Sequence, residues 1–155
     1  MRVGARPAAR SDLGVLVSLY RGLEKEMTAL HPMWPLADGL PEPADQSIAA
    51  AIDEPDTLVS LGELEGIPVG FLLARVEPLL AEGEIIGVVR LVFVDPEARE
   101  VGVGEAMLAL ALDRLRQRGV TRFDAHVLPG HRLAKNFFEA AGFSARSIVM
   151  HHDDR

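Results

Sequence analysis

Residues Val88 to Met107 read V-V-R-L-V-F-V-D-P-E-A-R-E-V-G-V-G-E-A-M, and the fold turns on this stretch. An apolar strand runs into Asp95-Pro96, where the proline ends it because a ring nitrogen donates no ladder hydrogen bond. A short polar turn then delivers Arg99-x-x-Gly102-x-Gly104 to the start of a long helix. Glycines three and five residues after Arg99 leave the backbone amides uncovered by Cβ atoms. Amides at a helix N-terminus have no intrahelical acceptor and sit at the positive end of the macrodipole, so they attract an anion, usually phosphate.

The spacing narrows the choice of phosphate ligand. A P-loop requires G-x-x-x-x-G-K-[ST], and neither Lys nor Ser/Thr follows Gly104. A dinucleotide fingerprint requires a small third residue, where this chain has Met107, so the match is poor even though Asp124 lies near the distance of the ribose-binding acid. A tight turn without a ligand would carry the same glycines.

Composition bounds the rest. With 155 residues, the expectation is one domain over 1–155, large enough to bury about two-thirds of its unfolded surface. There is no cysteine, so neither a disulfide framework nor thiolate chemistry is expected. A net charge of −7 argues against a nucleic-acid partner. The amino-terminal M-R-V-G-A-R-P lacks an apolar signal region and no run approaches membrane-spanning length, so a soluble, cytoplasmic protein without membrane contact is expected.

In chain order, Arg2 to Ala8 reads as a first strand, and Ser11 or Asp12 as the N-cap of the next helix. Leu13, Val15, Leu16, Leu19, Leu23 and Met27 recur at helical spacing up to about Leu30. His31 to Pro43 holds four prolines and the single tryptophan, Trp34, and predicts a loop with at most one helical turn. A second short helix follows over Ala44 to Ile52. Thr57 to Leu64 and Ile67 to Val76, joined by Glu65-Gly66, predict a hairpin, with Gly70 marking a bulge or a close backbone approach. Ile85 to Val94 predicts a central strand buried on both faces, and the helix from about Val103 closes at Gly119. Thr121 to Leu128 alternates as a strand, a helix spans about His131 to Ala141, and Ser144 to about His151 predicts a last strand.

The loop resembles the pyrophosphate loop of the GNAT superfamily of acetyl-CoA-dependent N-acetyltransferases, Q/R-x-x-G-x-G/A after a strand ending V-x-P. Val94-Asp95-Pro96 and Arg99-Glu100-Val101-Gly102-Val103-Gly104 match it without a gap. A second stretch, His131 to Phe143, resembles the family's N-x-x-A-x-x-x-Y-x-x-x-G-F through Ala134, Gly142 and Phe143. The resemblance implies an α/β (α+β) fold with a mixed central sheet splayed between its fourth and fifth strands and about four helices. It also implies acetyl-CoA as cosubstrate, direct transfer to an amine, and no metal. The amides of Val101 to Gly104 would take the pyrophosphate and the main chain of Val92, Phe93 and Val94 the pantetheine, with Arg99 supplying charge and Arg132 or Lys135 assisting.

Two departures from the pattern matter. His131 stands at the family's Asn, and Phe138 stands at the Tyr that protonates the departing thiolate; Phe138 has no proton to give, which makes core packing its expected role. Arg90 occupies the position of a frequent catalytic Glu and cannot act as a base. His126, where some relatives carry a carboxylate, is a chemically suitable base; a structural histidine held by Asp124 is the alternative. Glu24, Glu26, His31, Trp34 and Arg90 fall where the family lines its acceptor site. His151-His152 point to opposite strand faces and do not suggest a metal.

Between Glu24 and Asp56 eight acids face one lysine, Lys25, which suggests a cationic small molecule or a peptide or protein amine as acceptor. A non-catalytic acyl-CoA sensor and a transferase of longer acyl chains are the rival readings. The sequence leaves the acceptor's identity open, and the oligomeric state as well, a homodimer included.

Overall fold

The computed structural model describes residues 1–155. The strands are β1 (Val3–Pro7), β2 (Thr57–Leu64), β3 (Ile67–Pro78), β4 (Ile85–Val94) and β5 (Phe123–Ala125). The helices are α1 (Leu13–Leu30), α2 (Trp34–Ala37), α3 (Ala44–Asp53), α4 (Val103–Gln117) and α5 (Arg132–Ala140). The strands form one sheet in sequence order, antiparallel from β1 to β4 and parallel between β4 and β5. No helix is long and apolar enough to cross a membrane.

The period-2 pattern of β2 and β3 gives the sheet two apolar faces. Val59, Leu61, Phe71 and Leu73 face α1 and α3, together with Leu16, Tyr20 and Leu23. Leu72 and Ala74 face α4, together with Met107, Leu108 and Ala111. Burying each large aliphatic side chain contributes roughly 1.5–3 kcal/mol, so the α4 face alone fixes how the loop before that helix meets the sheet. The hairpin forms as expected, with Glu65 (φ 52) and Gly66 (φ 77) as a two-residue turn.

β4 carries an extra residue. Leu73 faces Leu91 and Ala74 faces Val89, which leaves Arg90 as a bulge. Before the bulge, main-chain groups of Gly87 and Val89 face β5: Gly87 N–H donates to Arg122 O and Val89 O accepts from His126 N. After it, Asp95 N–H reaches Val69 O across β3. By alternation the main-chain groups of Val92 and Val94 therefore face the β5 side. β5 pairs with β4 only from Gly87↔Phe123 to Val89↔Ala125 and then diverges. The sheet is splayed there, and the second half of β4 keeps an open edge.

Three expectations need correction. β5 is three residues long, not the eight of Thr121 to Leu128, because the bulge at Arg90 breaks the register in which Gly87 and Val89 meet it; Phe123, Ala125 and Val127 still pack on the α4 side. Ser144 to His151 forms no strand. Ile148, Val149 and Met150 are consecutive rather than alternating, so they offer no single face to bury, and all are exposed. The five helices are the expected four or so together with the single turn α2, which the proline-rich segment allowed. Asp12 precedes α1 without capping it, since its carboxylate accepts from Ala9 N–H and from Arg6.

Gly70 is a close backbone approach: a Cβ there would lie 2.8 Å from the Phe93 carbonyl oxygen. That oxygen belongs to the β3–β4 ladder and cannot retreat without breaking it. Gly70→Ala should therefore destabilise the protein by about 1–3 kcal/mol, read as a lower urea midpoint.

Candidate functional site

The loop before α4 is built to present amides. Asp95 accepts from Glu97 N–H at 2.9 Å and starts a 3-10 turn over Pro96–Ala98. Glu100 (φ 67) and Gly102 (φ 100) both adopt left-handed backbone, uncommon for a glutamate. Val103, 2% exposed, anchors the first turn of α4 in the core. Ala106 N–H finds Gly102 O at 3.0 Å, whereas the amides from Val101 to Glu105 find no acceptor within the protein. Gly104 lies under the Phe137 ring, 3.0 Å from where its Cβ would be, so α5 walls the loop.

Arg99 does not point free into this loop. Its Nε donates to Val94 O at 2.8 Å, one NH2 contacts Glu26 Oε2 at 2.6 Å, and the guanidinium lies 5.5 Å from the Phe93 ring centre. Glu26 Oε1 lies 3.2 Å from His131 Nε2. One carboxylate on α1 thus joins the loop to the N-terminus of α5. Phe138, 3% exposed, packs between Phe137 and Phe143 in the core.

His126 follows β5 at the point where the strands part. Its ring nitrogens lie 3.4 and 3.5 Å from Arg90 NH1, and Arg90 is itself held by Glu77 at 2.7 and 2.9 Å. The ring keeps an open face toward the gap but is crowded by protein. This partial desolvation, and then the Arg90 charge, push its pKa below the ordinary imidazole value, against the opposing pull of Asp38, Glu77 and Asp124. At pH 7 His126 is neutral and able to accept a proton. Asp124 does not hold it: the Arg146 guanidinium pairs with Asp124 and keeps that carboxyl below the usual range.

The remaining acceptor-side residues divide. Glu24 contacts Arg21 at 3.1 Å, and Arg21 also binds Glu42 at 2.7 Å. Trp34 is 4% exposed against Tyr20, whose hydroxyl accepts from Leu40 N–H, so its ring belongs to the core. His31 is exposed and its Nδ1 accepts from Met33 N–H. The acidic surplus between Glu24 and Asp56 is largely balanced by arginines, with Glu24 and Glu42 on Arg21, Glu26 on Arg99, Asp53 on Arg10 and Asp56 on Arg118. No three His, Asp or Glu side chains converge as metal ligands would.

Arg90 also lines a cavity of about 610 Å³ between α3 and the ends of β2 and β3, with Glu54, Arg75 and Glu77 among its walls. These three residues were absent from the sequence-derived site. The alternation of Arg75 and Glu77 in an otherwise apolar strand was the signal that could have found them.

The profile of the acetyltransferase (GNAT) family matches residues 18–143. A mycothiol acetyltransferase from Thermomonospora curvata is 32% identical over 88 residues, 57% of this chain and 28% of that protein. One from Thermobispora bispora is 37% identical over 90 residues, 57% of this chain and 30% of that protein. The chain thus aligns with less than a third of the length of these relatives. An aminoglycoside 6'-N-acetyltransferase from Acinetobacter baumannii superposes with a TM-score of 0.77 at 17% identity, covering 99% of each chain. A ribosomal-protein-alanine N-acetyltransferase from Brucella melitensis superposes at 0.74 and 15% identity, covering 98% of this chain and 100% of the other.

The environment of His126 is testable without any ligand. NMR titration should place its imidazole pKa below the ordinary value near ~6.5. Arg90→Met should move it upward, since it removes a cation and frees the Glu77 carboxylate; an unmoved titration would show that Arg90 does not act on the ring.

Proposed function

Because the chain belongs to the GNAT family of acetyltransferases, we propose that it transfers the acetyl group of acetyl-CoA to an amine by direct attack within a ternary complex. The observation that carries this reading is the continuity of two unfilled surfaces: the acceptor-less amides from Val101 to Glu105 and the open edge of β4 beside them. The first suits a pyrophosphate, through amide dipoles and the positive end of the 15-residue α4. The second suits an extended amide-bearing arm such as pantetheine, which takes the place of a missing strand.

Along that edge Val94 O is already bound by Arg99. Val92 N–H and C=O and Val94 N–H are the groups left for the arm and for the thioester oxygen, where an amide donor stabilises the charge that develops as the amine adds. Arg99 acts by holding the loop's geometry; Glu26 holds Arg99, and His131 holds Glu26. The names of the similar proteins, mycothiol and aminoglycoside acetyltransferases, support an acetyl donor.

The attacking amine must be neutral, and His126 at the mouth of the gap takes its proton directly or through water. The amine nitrogen bonds to the acetyl carbon, the carbon–sulfur bond breaks, and coenzyme A leaves as thiolate. Phe138 offers no proton, but a thiol with a reference pKa near ~8.5 is an adequate leaving group and takes its proton from water.

Two measurements test this. Gly102→Ala places a methyl group where no protein atom lies within 4 Å, so it meets only the bound phosphate, although the left-handed φ adds strain. Hydrogen bonds to charged groups contribute roughly 1.5–3 kcal/mol, and calorimetry should show coenzyme A affinity lowered about tenfold or more; undiminished affinity would remove the loop from the binding site. In kcat/KM, the acidic limb should lie below the ordinary imidazole value and disappear in His126→Ala. Persistence of that limb would remove His126 from proton transfer. Coenzyme A binding without thiol release from any amine would favour the sensor reading.

A further inference from the structure

Of the five charged residues lining the cavity next to Arg90, three are already matched and two are left over. Glu77 is bound to Arg90 at 2.7 Å, and Asp56 to Arg118 at 2.5 Å. Glu54 and Arg75 line the same cavity and take part in no ion pair; Glu54 accepts only a long bond from Asp56 N–H at 3.4 Å.

These two residues are neighbours through Thr57. Thr57 N–H donates to Glu54 O at 3.1 Å, and Thr57 stands directly opposite Arg75 in the β2–β3 ladder. Arg75 and Glu77 share one face of β3. Arg75 stands opposite Val88, two residues before Arg90, so the polar groups cross the sheet in strand order: Glu54 ahead of β2, Arg75 and Glu77 on β3, Arg90 on β4, and His126 after β5 where the strands part. One unmatched anion beside one unmatched cation complements an ammonium and a carboxylate held close together. A line of groups from that pair to the base complements a molecule whose second amine lies at the other end of a short chain.

We propose that the acceptor carries an α-amino-acid headgroup, bound with its carboxylate on Arg75 and its α-ammonium on Glu54, and presents a distal side-chain amine past Arg90 to His126. This rests on the acyl-transfer reading above and specifies its acceptor. The Glu77–Arg90 pair presents no net charge to the chain between the two ends, so the methylenes of a diamino acid pass it without losing a charge partner. The distal ammonium first loses one proton to water; the neutral amine then bonds through nitrogen to the acetyl carbon and passes a second proton to His126, while the carbon–sulfur bond breaks and coenzyme A leaves as thiolate. The headgroup amine stays charged on Glu54 and does not react.

The test uses lysine and three analogues, each lacking one feature: 1,5-diaminopentane without the carboxylate, 6-aminohexanoate without the α-ammonium, and lysinamide with the carboxylate neutralised. Thiol release from acetyl-CoA gives kcat/KM, and mass spectrometry with NMR locates the acetyl group. Lysine should exceed each analogue by about tenfold or more, mainly in KM, as expected for lost ground-state binding, and the product should be acetylated on the ε-nitrogen. Arg75→Gln should narrow the ratio of lysine to 1,5-diaminopentane, and Glu54→Gln the ratio of lysine to 6-aminohexanoate. Both residues are exposed, so neither variant threatens the fold.

Calorimetry of the same four compounds on the protein holding coenzyme A separates the two readings. A preference for lysine that depends on Arg75 and Glu54, without thiol release, supports the headgroup site and overturns the transferase reading. Acetylation of amines without that preference, acetylation on the α-nitrogen, or an equal effect of Arg75→Gln on lysine and 1,5-diaminopentane overturns the headgroup site. Absence of lysine binding overturns it as well.

Discussion

The bulge at Arg90 is the constraint on which the rest depends. One extra residue in β4 switches which main-chain groups face β5, so the pairing that runs from Gly87 to Val89 cannot continue. The strands part, β4 keeps an unpaired edge, and the bulged residue points away from the ladder into the space between α3 and β5. From there Arg90 reaches three structures at once: Glu77 on β3, the His126 ring after β5, and the cavity beyond. A continuous ladder would remove the gap, and it would also bury His126 against a closed sheet. Both the open edge and the approach of Arg90 to the imidazole thus trace to one backbone irregularity.

Arginine pairing is the second organising feature. The chain has many arginines and few lysines, and most of the ion pairs described above use arginine. Exposed pairs such as Arg10–Asp53 contribute little individually, because water screens them. The part-buried Arg99–Glu26 contact differs in kind, because a planar guanidinium can bind a carboxylate, a carbonyl and an aromatic face together. It fixes the distance between α1 and the loop. The same pairing leaves Arg75 and Glu54 conspicuous, as charged groups in one cavity that the protein does not neutralise itself.

Much of the architecture was legible because its signals are local. The hairpin follows from Glu65-Gly66 between apolar runs, β4 from ten residues ending at a proline, and α4 from a glycine-rich start and Gly119 (φ 86) at its end. The amide-presenting loop was legible for the same reason, since two glycines at a fixed distance from a strand end dictate backbone. What stayed hidden depends on partners distant in sequence. The length of β5 is decided by a bulge in another strand, and Ser144 to His151 had the composition of a strand without the alternation that buries one face. Arg99 looked like a phosphate ligand until Glu26, 73 residues away, appeared beside it. Arg75 and Glu77 passed unnoticed because one strand's alternation does not reveal whether its polar face meets bulk water or a cavity.

The open edge of β4 also bears on how the protein avoids sticking to its own kind. An unpaired strand edge ordinarily templates a strand from another molecule, and natural sheets cover or interrupt such edges. Here only Val92 and Val94 direct main-chain groups outward, and the Val94 carbonyl is capped by Arg99. A typical strand runs about 5–6 residues, and this edge, Leu91 to Val94, is shorter and stops where the chain turns at Pro96. The edge thus keeps hydrogen-bonding groups open to a slender partner while offering another molecule less than a full strand to extend.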